Sequence, residues 1–582
     1  MRIPVVFLSL NPDTPARGYW DMGMLEDIFS GQMWKPATSY AYDIVPSLEQ
    51  AQDGAVVVLP ARAQVDYIEQ INEALAPLKW VVLMLTGDEE ASFPVEKINH
   101  PNIFIWVMSP RPDRHEAYNK LGTGYPPQAR EWLPSCKREA QERELDYFFA
   151  GQVTHSRRLE MAKAIDDIVE FKEYNKLHGE YHPSVGFTQG LEHSLYYAKL
   201  ANTKVAFAPS GPETPDSFRL FEALEAGCIP IADTRDPKGV FPDDYWQWFF
   251  DEPVPFPVVT DYATLQGKTT EARDNYVPQS NKIYAWWQNY KRDLCYRVMK
   301  QVHILTGNEG TYFPRENSDQ SITVIVPTSV IPAHPSTAIL EETIGTIRTH
   351  LPTAEIIITF DGIRDKQKDR QADYDEYIHR ALWLCNNEWH NVLPIVHEEH
   401  QHQARMLRDV LSKVRTPYIL YVEHDAPITP DREIEWEKLV DVMDSGEADI
   451  IRLHHEELVL PDHEHMMLDH YDVQRETKKG ERVSMRRTAQ WSQRPHIARV
   501  SFYERILQQH FHPDSRTMIE DVMHGIVDNE FNKHGEQGWY NYRLWLYCPT
   551  TDKIGIKRSY HTDGRGADEK YEMDIIPVEG DN

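Results

Sequence analysis

The stretch Ala206–Asp233, AFAPSGPETPDSFRLFEALEAGCIPIAD, runs from an apolar strand through a Pro- and Gly-bearing loop into a helix, then leaves through Gly227-Cys228 into a second strand. Strand, loop, helix and strand in that order form the repeating unit of a parallel α/β sheet. Asp216 or Ser217 stands where it caps the helix, whose first N–H groups then face an anion. Arg219 lies in the first turn, and Glu222 follows three residues later on the same face. A guanidinium for a diphosphate beside a carboxylate for ribose hydroxyls is the chemistry a nucleotide sugar needs. The plainer reading is an exposed i,i+3 ion pair of about 0.2–0.5 kcal/mol, which leaves the Gly-Cys-x-Pro exit unexplained.

Working outward, short apolar runs recur at Val5–Leu10, Ala55–Leu59, Trp80–Leu85, Ile103–Met108, Tyr147–Ala150, Val205–Ala208 and Ile229–Ala232. Amphipathic stretches such as Val65–Leu75 and Arg157–Ile168 lie between them and suit crossover helices. Residues 1–310 therefore read as two Rossmann-like units, about 1–135 and 136–310, with a Gly- and Pro-rich break near Gly122–Pro134. Residues 311–321 read as a linker, and a second β-α-β series begins at Ile322 and fills 322–582. The expected fold class is α/β, with a mixed, mainly parallel sheet in the last part.

The chain has 582 residues and a net charge of −30, and both halves are acidic. Such a surface repels phosphate backbones and anionic lipid, which argues against a nucleic-acid coat or peripheral membrane protein. The five cysteines are scattered without a CxxC pair, so neither a disulfide framework nor a zinc knuckle fits. His-rich runs at 397–402 and 454–470 lack zinc-site spacing and read as hydrogen-bonded or solvated histidines. The N-terminal apolar run is too short for a membrane span, and the expected location is the cytoplasm of a bacterium or an infected host cell.

The stretch resembles the donor-binding motif of exostosin-type glycosyltransferases, Ser-x-Arg-x-x-Glu-Ala followed by Ala-Gly-Cys-x-Pro, at Ser217, Arg219, Glu222, Ala223, Ala226, Gly227, Cys228 and Pro230. The resemblance implies a metal-independent GT-B module over 1–310, with the donor held by Ser217, Arg219 and Glu222. It also implies that Phe149-Ala150-Gly151, His155 and Arg157 enter the second half, with Arg157 near the diphosphate. The loop Gly18-Tyr19-Trp20-Asp21 is either an acceptor platform or a core or lid element.

In the second half, Thr328, Asp361 and Glu423-His424-Asp425 stand at the ends of successive strands, where an open sheet binds its ligand. The series resembles GT-A glycosyltransferases of the family-two type. That resemblance implies Thr328 and Asp361 at the donor, Arg405 at its base or phosphate, and Arg565 at the departing diphosphate. It further implies Mn²⁺ or Mg²⁺ on Glu423, Asp425 and His561, with Glu423 where the motif usually has Asp, and Asp521 (alternatively Glu520) as the base that deprotonates the acceptor. A strand-end carboxylate is also a common turn former, so the order of these residues rather than any one of them carries the reading.

Together the two resemblances imply a bifunctional, inverting glycosyltransferase that moves sugars from nucleotide-sugar donors, UDP-sugars foremost, to a glycan. Two alternatives are a phage-type enzyme acting on hydroxymethylated DNA bases, which the charge disfavours, and a sugar-binding protein with an inactive module.

Overall fold

The computed structural model describes residues 2–17, 22–30, 42–51, 53–136, 139–170, 177–186, 190–239, 241, 243–307, 318–455, 459, 461–470, 473–477, 479–547 and 557–562. Two compact units divide the chain: Met1–Pro314 with His379–His390, and Arg315–Ile378 with Asn391–Asn582.

The first unit holds two parallel sheets. Strands β1 (Ile3–Phe7), β2 (Tyr42–Ile44), β3 (Gly54–Pro60), β4 (Trp80–Thr86), β5 (Ile103–Met108) and β6 (Asn119–Leu121) pair in the order β2-β1-β3-β4-β5-β6. Every residue of β3 and β4 is buried, which is why both read as unbroken apolar runs rather than alternating ones. Strands β7 (Leu145–Gln152), β8 (Gly179–Ser184), β9 (Thr203–Ala208), β10 (Ile229–Asp233) and β11 (Val258–Val259) pair as β11-β10-β9-β7-β8. The two short edge strands β2 and β6, with three residues each, are too brief to carry a periodic signal.

The 31-residue helix Tyr276–Thr306 fastens both sheets. Its Ser280 Oγ donates to Gly227 O at 2.7 Å beside β10, and its Gln301 Oε1 accepts from Trp106 Nε1 of β5 at 2.7 Å. Midway, Lys291 donates to Glu225 Oε2 at 2.9 Å, and Glu225 also accepts from Arg130 at 2.8 Å. Lys291 and Glu225 are fully buried, so their desolvation is offset by this mutual pairing. The Gly122–Pro134 break, expected as a hinge, contains the helix Pro127–Trp132, and Gly124 (φ +68°) supplies the left-handed residue ahead of it.

The second unit is built on one nine-stranded sheet. Its strands are β12 (Ile322–Thr328), β13 (Glu355–Phe360), β14 (Val392–Val396), β15 (Tyr418–Tyr421), β16 (Ile450–Leu453), β17 (Val473–Glu476), β18 (Arg482–Arg487), β19 (His496–Arg499) and β20 (Leu544–Tyr547). The order is β14-β13-β12-β15-β19-β16-β20-β18-β17. Pairing is parallel from β14 through β15; β19 then runs antiparallel between β15 and β16. The chain is thus α/β, with two Rossmann-like parallel sheets followed by a mixed one. Just before His561, Ser559 forms an isolated antiparallel bridge with Ile428.

In each of the last two sheets one strand has neighbours reached by connections in opposite directions. In the first unit β7 lies between β8 and β9, and in the second β12 lies between β13 and β15. At such a point the loops diverge and leave a crevice beyond the carboxyl ends of the strands.

Candidate functional site

In the first unit the crevice lies at the ends of β7 and β9, and two helices start there: Ser156–Glu170 after β7 and Phe218–Glu225 after β9. Arg219 projects from the second helix. Its Nη1 donates to Tyr196 Oη at 2.8 Å and to Glu222, and its guanidinium lies 4.7 Å over the Tyr196 ring. Gly151, at the end of β7, makes room for it, because a Cβ there would stand 3.2 Å from Arg219 Nε.

Sequence reasoning missed Arg158. Its Nε donates to Ser210 O at 3.0 Å and its Nη1 to Gln152 O at 3.1 Å. Burial first, then the neighbouring Arg219 guanidinium, push it down to about 10. Two guanidiniums in such proximity oppose one another, and a polyanion between them relieves that opposition. Around them four buried polar atoms have no hydrogen-bond partner among the described residues: Gln152 Nε2, His155 Nδ1, Ser210 Oγ and Asp216 Oδ1. Burial and Arg158 drive His155 down to about 4, so its ring is neutral; Nε2–H donates to Ser210 O at 3.2 Å and leaves Nδ1 as a bare acceptor.

Arg157, expected at the diphosphate, is committed elsewhere. Its Nε and Nη2 grip Asp233 at 2.9 and 2.7 Å, and its guanidinium stacks 4.7 Å over Tyr262. One residue along a helix turns a side chain by about 100°, so Arg157 faces the sheet while Arg158 faces the crevice. Glu222, expected at the ribose, is buried and accepts from Tyr197 Oη at 2.8 Å, Tyr196 Oη at 2.9 Å and Arg219. It orients Arg219 rather than standing open to a ligand. Ser217 occupies the N-cap position, but its hydroxyl donates to Pro209 O at 2.7 Å and makes no bond to the helix.

Asp216 reaches the first sheet. It accepts from Thr123 N at 3.0 Å and Ser109 Oγ at 3.2 Å, just beyond β6 and β5. Burial pushes its carboxyl up to about 7 despite those bonds. The Gly18–Asp21 loop lies outside the described residues.

In the second unit a cleft at the ends of β12 and β15 is lined by Thr328, Asp361, Arg364, Gln403, Glu423 and Asp425, among others. Asp361 holds the cleft loop: it accepts from Gln401 N at 2.6 Å and His402 N at 3.1 Å, and His400 Nδ1 lies 2.7 Å from it. Gly362 permits that closure, because a Cβ there would stand 2.2 Å from the Glu399 carbonyl carbon. Asp361 therefore shapes the pocket with a carboxylate largely used within the protein. Arg405, expected at the base or phosphate, does not line this cleft; it lies near His397, whose imidazole burial first, and Arg405 to a lesser extent, push below its ordinary value. Arg364 lines the cleft in its place, with Nη2 at 3.3 Å from His402 Nε2.

The three candidate metal residues divide. Asp425 Oδ2 lies 3.4 Å from His561 Nε2, and Thr562 N donates to Asp425 O at 2.7 Å, pinning the late segment to the triplet turn. Glu423 turns away to accept from Gln403 Nε2 at 2.7 Å. Burial, then Asp425 and Glu520, push Glu423 up to about 8, so it carries a proton at neutral pH. Among the described residues no group of three or more His, Cys, Asp or Glu side chains is poised for a metal. Asp425 and His561 fit a divalent cation as an oxygen and nitrogen pair; Glu423 does not join them as placed.

Gln403 was also missed. Besides Glu423 it binds Ile519 N through Oε1 at 3.2 Å, tying the start of the helix Ile519–His534 to the triplet. In that first turn Glu520 accepts from Gln493 N at 3.0 Å, while Asp521 is exposed and acts electrostatically on His402 at the cleft. Arg565 lies outside the described residues. No described helix is long and apolar enough to cross a membrane.

No protein-family model matches the chain, and no curated protein matches it. Among solved structures, S. aureus TarS 1-349 is similar over 42% of this chain and 60% of its own, at 15% identity and a TM-score of 0.25. The same protein in complex with UDP-GlcNAc gives 13% identity, 42% and 59% coverage, and a TM-score of 0.25. A mannosyltransferase from Pyrobaculum calidifontis, in complex with GDP-Man and Mn²⁺, is similar over 40% of this chain and 58% of its own, at 13% identity and a TM-score of 0.22. This chain therefore spans less than two thirds of the length of each of these structures.

Proposed function

We propose that the chain is a glycosyltransferase using nucleotide-sugar donors, with one donor site in each unit. The observation that carries this reading is the second-unit cleft. Asp425 with His561, Glu423 held by Gln403, and the first turn of the Ile519–His534 helix converge beyond β12 and β15, where an open sheet takes its ligand.

In this reading Asp425 and His561 hold Mn²⁺ or Mg²⁺. When bound, the ion neutralises charge on the donor diphosphate. Thr328 lines the floor against the nucleoside, Asp361 keeps the 400–402 loop closed over it, and Arg364 supplies a cation at the rim. Asp521 takes the proton from the acceptor hydroxyl, with Glu520 as the alternate base. Its exposure lets an acceptor reach it, whereas Glu520 is held by Gln493. A base acting on an acceptor in this way implies direct displacement and inversion at the sugar. Glu423 accepts from Gln403 Nε2 and, through Gln403, ties the triplet turn to the start of the Ile519–His534 helix.

In the first unit Arg158 and Arg219 clamp a second diphosphate without a metal. The acceptor we favour is a glycan, because the net charge of −30 repels DNA. The chain is then bifunctional, and a cytoplasmic location, with access to nucleotide sugars, suits both sites.

Nucleotide release from UDP- and GDP-sugars, with Mn²⁺ or with EDTA and with glycan or DNA acceptors, tests the reading. Asp425→Asn should remove the metal-dependent release alone, and Arg158→Gln the metal-independent release alone. No release with any donor overturns the reading.

A further inference from the structure

A second cavity in the second unit is lined by Asp444, Asp449, Arg499, Ser501, Arg505 and Arg543, among others. Its place follows from strand register. Tyr418, the first residue of β15, pairs with Arg499; Ala498 pairs with Ile450, the first residue of β16; and Ile450 pairs with Leu544, the first residue of β20. Asp449, Arg499 and Arg543 therefore gather where β15 begins, at the sheet edge opposite the cleft that β15 ends in.

Three guanidiniums meet one buried carboxylate here. Arg543 grips Asp449 through Nε at 3.0 Å and Nη2 at 2.9 Å. Arg505 Nη2 and Arg499 Nε stand farther off, at 3.5 and 3.6 Å. Asp449 is thus satisfied by Arg543, and the other two arginines are not needed to neutralise it. Counting Asp444 as well, the lining carries three positive and two negative charges, a local excess in a chain of net charge −30. Arg499 uses Nε on Ala448 O and Arg505 uses Nη2 on Asn541 O. Both residues line the space, as does Ser501 at the start of the helix Val500–His510, and their guanidiniums lie over flanking rings, Arg499 over Tyr418 at 5.7 Å and Arg505 over Phe502 at 5.3 Å. Two guanidiniums bordering one space, with N–H groups beyond those bonded to Ala448 and Asn541, are the chemistry that binds phosphate oxygens.

We propose that this pocket binds a phosphate monoester group, with Arg499 and Arg505 as its ligands and the Asp449–Arg543 pair as its floor. The site is separate from both donor sites, so it stands whether or not the proposed transfer reaction does.

Isothermal titration of the full chain with inorganic phosphate at constant ionic strength tests this. The expected result is saturable binding that weakens about tenfold in Arg505→Gln and in Arg499→Gln, with exposed Arg432→Gln as the control. Both variants keep the Asp449–Arg543 pair, and an unchanged circular dichroism melt shows that they fold. No saturable binding by the parent chain, or equal binding in all three variants, overturns the proposal.

Discussion

Asp216→Asn should make the first unit more stable, by an amount that grows with pH. Asp216 is fully enclosed, accepts from Thr123 N and Ser109 Oγ, and has its carboxyl raised by burial from an ordinary value near 3.8 to about 7. Between those pH values the unfolded chain has lost the proton and the folded chain still holds it, so stability falls as pH rises. At about 1.4 kcal/mol per pH unit, the full loss is on the order of 4 kcal/mol, complete near pH 7 and constant above it. Below the ordinary value the contribution is intact. Asparagine keeps an oxygen acceptor but cannot ionise, so its curve lacks this slope. Hydrogen exchange of peptides spanning Thr123 and Asp216, measured in both proteins from pH 4.5 to 8.5 and corrected for intrinsic exchange, reads the local opening free energy. The two proteins should converge at the acid end and diverge by a few kcal/mol at the alkaline end. Parallel curves across the range refute the reasoning.

Further outcomes follow from the same geometry. Arg157→Gln strands the buried Asp233 carboxylate and should destabilise the first unit by about 3–5 kcal/mol in denaturant titration. Arg158→Gln should leave stability nearly unchanged while weakening nucleoside-diphosphate binding to that unit, and fluorescence competition distinguishes the two variants. Gly362→Ala forces the Glu399–His400 backbone away from Asp361. It should accelerate exchange at the Gln401 and His402 amides and weaken donor binding without unfolding the sheet.

The strands were legible where burial on both faces makes a run continuously apolar, as in β3, β4, β12 and β13. The later strands β16–β20 have four to six residues each, interleave by long connections and gave no comparable signal. The helix carrying Arg219 and Glu222 was legible too, because its exit glycine has to be left-handed, with φ +70° at Gly227. Orientation around a helix was not. Arg157 and Arg405 were expected at the donors, whereas Arg158 reaches the Ser210 and Gln152 carbonyls and Arg364 lines the cleft, because side-chain type alone does not say which neighbour a helix face meets. Glu222 shows the same limit: two tyrosines from a preceding helix, 25 and 26 residues away in sequence, occupy its oxygens. The Asp425–His561 pair was legible by type and order, whereas the turn of Glu423 toward Gln403 depends on a tertiary contact.

In the proposed transferase, Asp425 and His561 hold a cation whose site is completed by a donor diphosphate. Electron paramagnetic resonance of Mn²⁺ titrated into the full chain, before and after UDP or GDP, tests it most directly. The nucleotide should immobilise Mn²⁺ in the parent chain and in Arg219→Gln, but not in Asp425→Ala or His561→Ala. Free Mn²⁺ in the parent chain with either nucleotide, or undiminished binding in Asp425→Ala, would contradict it.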